Sequence, residues 1–192
     1  MNYNSQQHHR RSVRLKEFDY SQPGWYYITI CTHNKKCLFG GIADSKMVLN
    51  KFGKIVNEEW QKTKEIRRNI DLDYYVIMPN HIHGIIIIEN KIIVHTALRA
   101  NSNSPLQCDE NIKNKLNSPS QTIGAIVRGF KGSVTKRINE LRNTPGSPVW
   151  QRNYYEHILR NEMDLYSTRN YIQNNPLNWD LDNLFNENNK SY

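Results

Sequence analysis

Two histidines that flank one apolar residue are the feature of this sequence best suited to chemistry. His81, Ile82 and His83 begin an apolar run that ends at Ile88. In an extended strand, residues two apart point to the same face, so both imidazoles project together while Ile82 turns to the other side. Two converging ring nitrogens can bind a divalent metal ion, although a hydrogen-bonded pair of structural histidines has the same spacing. A metal site would need a third ligand.

A tyrosine near the end of the chain is the second candidate. Tyr171 and Asn175 are four residues apart and are therefore neighbours on one helix face, together with Ser167. The apolar residues Leu165 and Ile172 fall on a different stripe, which is the part expected to pack on a sheet. Tyr171 is thus not required as core, and its face is polar enough to border a site. On spacing alone, a surface tyrosine whose ring covers a neighbour is the simpler interpretation.

Net charge indicates the class of partner. Lysine and arginine number 26 against 18 acidic residues, so the chain carries a formal charge of +8. A field of that sign attracts polyanions, which makes nucleic acid the leading candidate. A modest positive excess is also common in proteins that bind no nucleic acid, so the placement of the charges has to decide.

Length and composition predict one folded domain. The chain of 192 residues fits a single core, and its 38% of hydrophobic residues is enough to build one. Between residues 91 and 119 the sequence is rich in Asn, Ser and Lys and has little periodicity. We interpret this stretch as a mobile insertion inside a single domain that spans residues 1–192.

Cysteine usage and hydropathy indicate the compartment. Cys31, Cys37 and Cys108 are odd in number and form no CxxC pair, so neither a disulfide framework nor a zinc knuckle is indicated. The longest purely apolar run, residues 85–88, is far shorter than the roughly 20 residues of a membrane helix. These features predict a soluble, cytoplasmic protein that has no membrane partner.

Hydrophobic periodicity predicts the order strand, helix, strand, strand, helix, strand, helix. The strands are expected at residues 25–32, 73–78, 81–89 and 154–160, and the helices at 48–68, 122–142 and 162–175. Pro79-Asn80 marks a tight turn, and Asn161 followed by Asp164 predicts a helix N-cap. This order predicts an α+β fold: a ferredoxin-like (RRM-like) antiparallel sheet with helices on one face and a C-terminal helix that carries Tyr171.

Five segments of the chain, in this order, resemble the REP-associated tyrosine transposases. These HUH-type single-tyrosine endonucleases are relatives of the single-strand insertion-sequence transposases. The segments are HHRRSVRLKEFDYSQPGWYYITICT, YYVIMPNHIHGIIII, GFKGSVTKRIN, VWQRNYYEHILRNE and YIQNNPLNW. The resemblance covers nearly the whole chain except residues 91–119 and the last dozen residues.

The resemblance implies a role for each candidate residue. It assigns His81 and His83 to a metal-binding motif and Tyr171 to the nucleophile, and it implies that the Asn175 amide completes the metal site. Two imidazoles and an amide oxygen would leave open positions on Mg²⁺ or Mn²⁺ for phosphate oxygens. The tyrosine hydroxyl would then attack the phosphodiester and become a phosphotyrosine, which keeps the energy of the broken bond for strand transfer.

Basic residues in two places are the predicted DNA contacts. The N-terminal segment resembles the part of the family that helps to bind bases beside a DNA hairpin. A cationic helix face can track a phosphate backbone, although a solvated face has the same composition. The predicted DNA-binding residues are Arg10, Arg11, Arg14, Arg128, Lys131, Lys136 and Arg137.

The sequence therefore predicts a metal-dependent transposase that cuts single-stranded DNA beside hairpins, either to move an element or to mobilise repetitive palindromes. A non-catalytic module that binds nucleic-acid hairpins would have the same sheet and basic surface. A metal phosphohydrolase would use activated water and leave no protein-DNA adduct. The sequence leaves open whether the protein works as a monomer or as a homodimer.

Overall fold

Strands and helices alternate along the part of the chain that the structure describes. This computed structural model describes residues 19–89, 122–182 and 184–185, so the predicted insertion lies outside the described residues. The strands are β1 (Gly24–Cys31), β2 (Gly40–Ala43), β3 (Lys46–Leu49), β4 (Ile70–Met78), β5 (His81–Ile88) and β6 (Tyr155–Leu159). The helices are α1 (Lys51–Ile66), α2 (Ile123–Leu141) and α3 (Glu162–Asn174). Within these ranges, no helix has both the length and the apolar character needed to cross a membrane.

Four strands form one antiparallel sheet in the order β4-β5-β1-β6. The predicted α+β fold with an antiparallel sheet is confirmed, and its elements follow the chain order β1, α1, β4, β5, α2, β6. Strand β5 is paired on both sides, which places Thr29 opposite His83 and Cys31 opposite His81. The two histidines therefore lie in the interior of the sheet, where neighbouring strands hold their backbone in place.

Helices α1 and α2 cover one face of the sheet. Ile82 and Ile86 of β5 are buried there in one cluster with Trp60 of α1 and Phe130 of α2. Gly84 lies under the Trp60 ring, and a Cβ atom at this position would be 2.4 Å from that side chain. The glycine after His83 therefore lets α1 pack closely on the strand that carries the histidines.

Helix α3 covers the opposite face. Its two buried residues, Leu165 and Ile172, pack against Ile85 and Leu159 of the sheet, as the apolar stripe predicted. The predicted N-cap is also present, because the Asn161 side chain accepts a hydrogen bond from the backbone N–H of Asp164 at 2.8 Å. The histidines alternate with Ile82, so they share the face that α3 covers.

A short hairpin precedes α1, and the sequence interpretation missed it. Strands β2 and β3 pair with each other, and Asp44 and Ser45 between them both have positive φ, as in the two-residue turns of tight hairpins. Helix α1 consequently begins at Lys51, and the prediction that it starts at residue 48 is wrong. Asn50 sets the true start, since its side chain accepts hydrogen bonds from the first turn of the helix.

Candidate active site

The paired histidines lie side by side and are buried. His81 is 0% exposed and His83 is 2% exposed. Their ring centroids are 4.3 Å apart, so the predicted projection to one face is confirmed. Burial disfavours a charged imidazole, and it is the main cause that lowers the pKa of His81 to about 3. The pKa of His83 is also well below its ordinary value, through burial and then through the neighbouring His81. Both rings are therefore neutral at physiological pH.

One ring nitrogen of His83 is held by hydroxyl groups. Its Nδ1 lies 2.7 Å from the Tyr27 hydroxyl and 2.8 Å from Thr29 Oγ1. The Tyr27 ring also stacks on the imidazole, with centroids 5.5 Å apart. These contacts leave Nε2 to face the space between the sheet and α3.

Tyr171 approaches the same nitrogen from α3. Its hydroxyl lies 3.3 Å from His83 Nε2, and its side chain is 47% exposed. On the same helix, the Arg169 guanidinium forms an ion pair with Asp73 of β4 at 2.7 Å. Burial, and next the negative charge of Asp182, raise the pKa of Tyr171 above its ordinary value. The phenol therefore stays protonated unless a positive charge is placed beside it.

Asn175 ends α3 directly beside the histidines. Its side chain is buried, and Nδ2 donates a hydrogen bond to Asp182 Oδ2 at 3.0 Å. Among the described residues, neither Asn175 Oδ1 nor His81 Nε2 has a hydrogen-bond partner of normal geometry, although both atoms are buried. The Asn175 side chain is nevertheless close enough to His81 to oppose the effect of burial on the pKa of that ring. Buried polar atoms without a hydrogen-bond partner are costly unless a ligand satisfies them. The structure thus brings the predicted His81, His83, Tyr171 and Asn175 together.

Asp182 is an acidic residue at this site that the sequence analysis did not predict. One potential ligand atom from each of His81, His83 and Asp182 lies within 4.8 Å of the other two. The residue follows a one-turn 3₁₀ segment, Trp179–Leu181, after the end of α3. It falls in the last dozen residues, where the family resemblance ends, and it has no helical or strand periodicity to mark it.

A cleft opens onto this cluster. Its volume is about 370 Å³, and its walls include the Tyr27, Tyr155 and Tyr171 rings together with His83 and Asp182. Aromatic rings beside a cluster of metal-ligating side chains are suited to a substrate that has flat rings and an anionic group.

The predicted DNA-binding residues are not part of this cluster. Arg10, Arg11 and Arg14 lie outside the described residues. The other four are on α2, behind the opposite face of the sheet. Lys131 donates to the backbone carbonyls of Gln151 and Arg152, and Arg137 forms ion pairs with Glu58 and Glu59 of α1.

Arg128 and Lys136 are more open to solvent than the two anchored side chains. Both are exposed, and the Lys136 ammonium lies 3.9 Å from the Glu140 carboxylate. Phosphate binding by the four α2 residues stays a prediction. Lys131 and Arg137 also stabilise the fold through their contacts with Gln151, Arg152, Glu58 and Glu59.

Acidification is expected to destabilise the protein through the two histidines. In the unfolded chain, His81 binds a proton once the pH falls below its ordinary pKa of 6.5. In the folded protein the same ring stays neutral until the pH falls to its lowered pKa of about 3. The free energy of unfolding therefore falls as the pH drops below 6.5, by up to about 1.4 kcal/mol per pH unit for each buried histidine. Urea unfolding at pH 7.5, 6.5 and 5.5 measures this slope. His81→Gln removes one titrating ring and should flatten it, whereas an equal slope in both proteins would contradict the account.

Comparison with known proteins gives a relative of nearly the same length. No family model matches the chain. An uncharacterized protein of Haemophilus influenzae (strain Rd) is 44% identical over 183 residues, which cover 95% of this chain and 97% of that protein. At this identity and coverage the two chains share one fold and one ancestry.

Two solved structures resemble the chain more distantly. A REP-associated tyrosine transposase bound to a REP hairpin matches 87% of this chain and 74% of that chain, with a TM-score of 0.49 and 15% identity. A protein of Deinococcus radiodurans R1 that is provisionally named a transposase matches 85% of this chain and 97% of that chain, with a TM-score of 0.43 and 12% identity. At these low identities the likeness concerns the fold and not the activity.

Proposed function

The chain belongs to one family with the uncharacterized Haemophilus influenzae protein, and from the chemistry of its own site we propose that it is a metal-dependent endonuclease and strand transferase of single-stranded DNA. The observation that carries the proposal is the Tyr171 hydroxyl, which lies 3.3 Å from an imidazole nitrogen of the neutral histidine pair. Covalent cleavage of a phosphodiester by a tyrosine needs a hydroxyl beside a metal-binding cluster, and this site has both.

The donor set fits a hard divalent cation. His81 and His83 are neutral and buried, and the Asn175 amide oxygen and His81 Nε2 have no partner among the described residues. Imidazole nitrogens and an amide oxygen are suitable ligands for Mn²⁺ or Mg²⁺, and the Asp182 carboxylate adds the negative charge that such ions prefer. We therefore propose His81, His83 and Asn175 as ligands, with Asp182 beside them. When bound, the ion would polarise the scissile phosphate and stabilise the developing charge.

Tyr171 would carry out the covalent step. Its oxygen attacks the phosphorus atom, the bond between phosphorus and the 3′ oxygen breaks, and the phenolic proton leaves to solvent while the departing 3′ oxygen gains one. The products are a 5′-phosphotyrosine and a free 3′ hydroxyl. Because the raised pKa of Tyr171 keeps the phenol protonated, cutting should depend on a cation at the histidines. A second DNA hydroxyl can reverse the step and join strands without ATP.

The substrate is proposed to be single-stranded DNA beside a hairpin. An unpaired strand can bend its phosphate into the cleft and place a base against the tyrosine rings that line it. The charge of +8 supplies affinity for the backbone without sequence preference. The N-terminal arginines Arg10, Arg11 and Arg14 are proposed to bind bases next to the hairpin, as the sequence resemblance implies.

This proposal is tested with a labelled single strand that contains a hairpin from the flank of the protein's own coding region. With Mn²⁺ or Mg²⁺, we expect a cut strand and a protein-DNA adduct that migrates slowly on a denaturing gel. The fully duplex form of the same sequence should be cut at least about 10-fold more slowly, because base pairing stiffens the strand. Binding should weaken steeply with added salt as counterions are released. Cutting without an adduct would indicate a hydrolase, and binding without cutting would indicate a non-catalytic module.

A further inference from the structure

Asn80 lies in the turn between β4 and β5, immediately before the histidine pair. Its side chain is buried, and both of its amide atoms form hydrogen bonds. Oδ1 lies 2.7 Å from His81 Nδ1. Nδ2 donates to the backbone carbonyls of Lys35 at 3.2 Å and Leu184 at 2.8 Å. A turn asparagine needs none of these long-range contacts, so they indicate a task beyond making the turn.

The contacts of Asn80 fix the proton of His81. Two carbonyl acceptors require the amide nitrogen on their side, so the amide oxygen must face the imidazole. An amide oxygen can only accept, and therefore His81 Nδ1 carries the hydrogen. In a neutral ring this leaves the lone pair on Nε2, which is one of the buried atoms without a hydrogen-bond partner among the described residues. The free lone pair is thus on the side of Asn175 and His83.

The same amide ties the chain after α3 to the site. Leu184, whose carbonyl accepts from Asn80, donates its own N–H to Asp182 Oδ1 at 2.7 Å. The other Asp182 oxygen accepts from Asn175 Nδ2, which turns the Asn175 oxygen away from Asp182. A continuous series of hydrogen bonds therefore runs from His81 through Asn80, Leu184 and Asp182 to Asn175. The side chains at its two ends, His81 and Asn175, each carry a buried atom that has no hydrogen-bond partner in the described part of the chain.

We propose that Asn80 is a positioning residue that orients both ends of this series for one metal ion. It selects the His81 tautomer with Nε2 free, and it holds Leu184 so that Asp182 orients the Asn175 amide. The inference rests on the proposed function for the identity of the ligand, but the tautomer is a property of the metal-free protein. Groups that orient metal-binding histidines in this way typically change metal affinity about 10-fold to 100-fold when they are removed.

Two substitutions separate the two tasks of Asn80. Asn80→Ala removes the acceptor and the donors, so the His81 Nε2–H tautomer should appear and Mn²⁺ affinity should fall at least about 10-fold. Asn80→Asp keeps an acceptor for His81 and loses the donors, so the tautomer should stay while the Leu184 backbone amide exchanges faster with solvent. Asn139→Ala is the matched control, because Asn139 is also buried and also hydrogen bonds through both amide atoms, to Ser147 and Arg142. It should change neither the tautomer nor the Mn²⁺ affinity.

The tautomer is read by ¹⁵N NMR of the histidine side chains in metal-free protein, and the affinity by calorimetric titration with Mn²⁺. The inference is overturned if Asn80→Ala keeps the wild-type tautomer, or if it loses no more Mn²⁺ affinity than Asn139→Ala. If Asn80→Ala does not fold, an Nε2–H tautomer in Asn80→Asp overturns it instead. If the wild-type protein binds no Mn²⁺, the proposed function fails, while the tautomer still tests the role of Asn80 independently.

Discussion

Tyr171→Phe is expected to abolish both the protein-DNA adduct and the cut strand, with a loss of at least about 1,000-fold in cleavage rate. The change removes only the hydroxyl oxygen that is proposed to attack phosphorus. Its contact with His83 Nε2, at 3.3 Å, is long, and the side chain is half exposed. The free energy of unfolding should therefore change by less than about 0.5 kcal/mol. Mn²⁺ affinity and hairpin binding should stay close to those of the parent protein.

Tyr166→Phe is the matched control for this experiment. Tyr166 lies on the same helix but is 68% exposed, and it is not among the residues that line the cleft. It should form the adduct at the parental rate. A Tyr171→Phe protein that still cuts, with no adduct, would support activated water as nucleophile. An adduct in that variant would assign the chemistry to a different residue.

His81→Ala and His83→Ala are each expected to reduce cleavage at least about 1,000-fold, since loss of a bound cation removes several kcal/mol of transition-state stabilisation. Excess chelator should have the same effect on the parent protein, and added Mn²⁺ or Mg²⁺ should restore cutting there but not in the variants. Hairpin binding should survive, because backbone contacts by lysine and arginine supply most of the affinity. Cleavage rates and binding isotherms measured on the same preparations separate these effects.

His157→Ala provides the comparison for the histidine variants. His157 is exposed on β6 and does not belong to the cluster of potential metal ligands formed by His81, His83 and Asp182. The substitution should leave both cleavage and metal affinity unchanged. Undiminished cutting by the parent in excess chelator would rule out the metal, whatever the histidine variants do.

Much of the fold could be predicted because the sequence patterns are local. The strand at residues 25–32 and the helix at 122–142 each agree with β1 and α2 to within one residue at either end. The spacing of His81 and His83 correctly predicted that both side chains lie on one face of the sheet, because successive residues of a strand point to opposite faces. The β2–β3 hairpin was missed because its strands are four residues long and its Asp44-Ser45 turn lacks the usual glycine.

The site was predictable only where one element holds the residues or a motif marks them. Tyr171 and Asn175 are neighbours through helical spacing, but their approach to the histidines depends on how α3 packs across the sheet. Asp182 reaches the site through the chain after α3, and no periodicity marks such a position. Asn80 suggested a turn and nothing more, because its hydrogen bond to Leu184 joins residues 104 positions apart. Long-range contacts of this kind are not encoded in any local spacing.

The most direct test of the proposed function is to map the residue that carries the DNA. The adduct formed with a hairpin-bearing single strand is treated with nuclease and trypsin, and the peptides are sequenced by mass spectrometry. Cleavage after Arg169 and Lys190 yields a peptide in which Tyr171 is the sole tyrosine, while Tyr166 falls in the preceding peptide. We expect the residual 5′-phosphonucleotide on Tyr171. A nucleotide on any other residue, or an unmodified Tyr171 peptide from a reaction that has cut its DNA, would contradict the proposed mechanism.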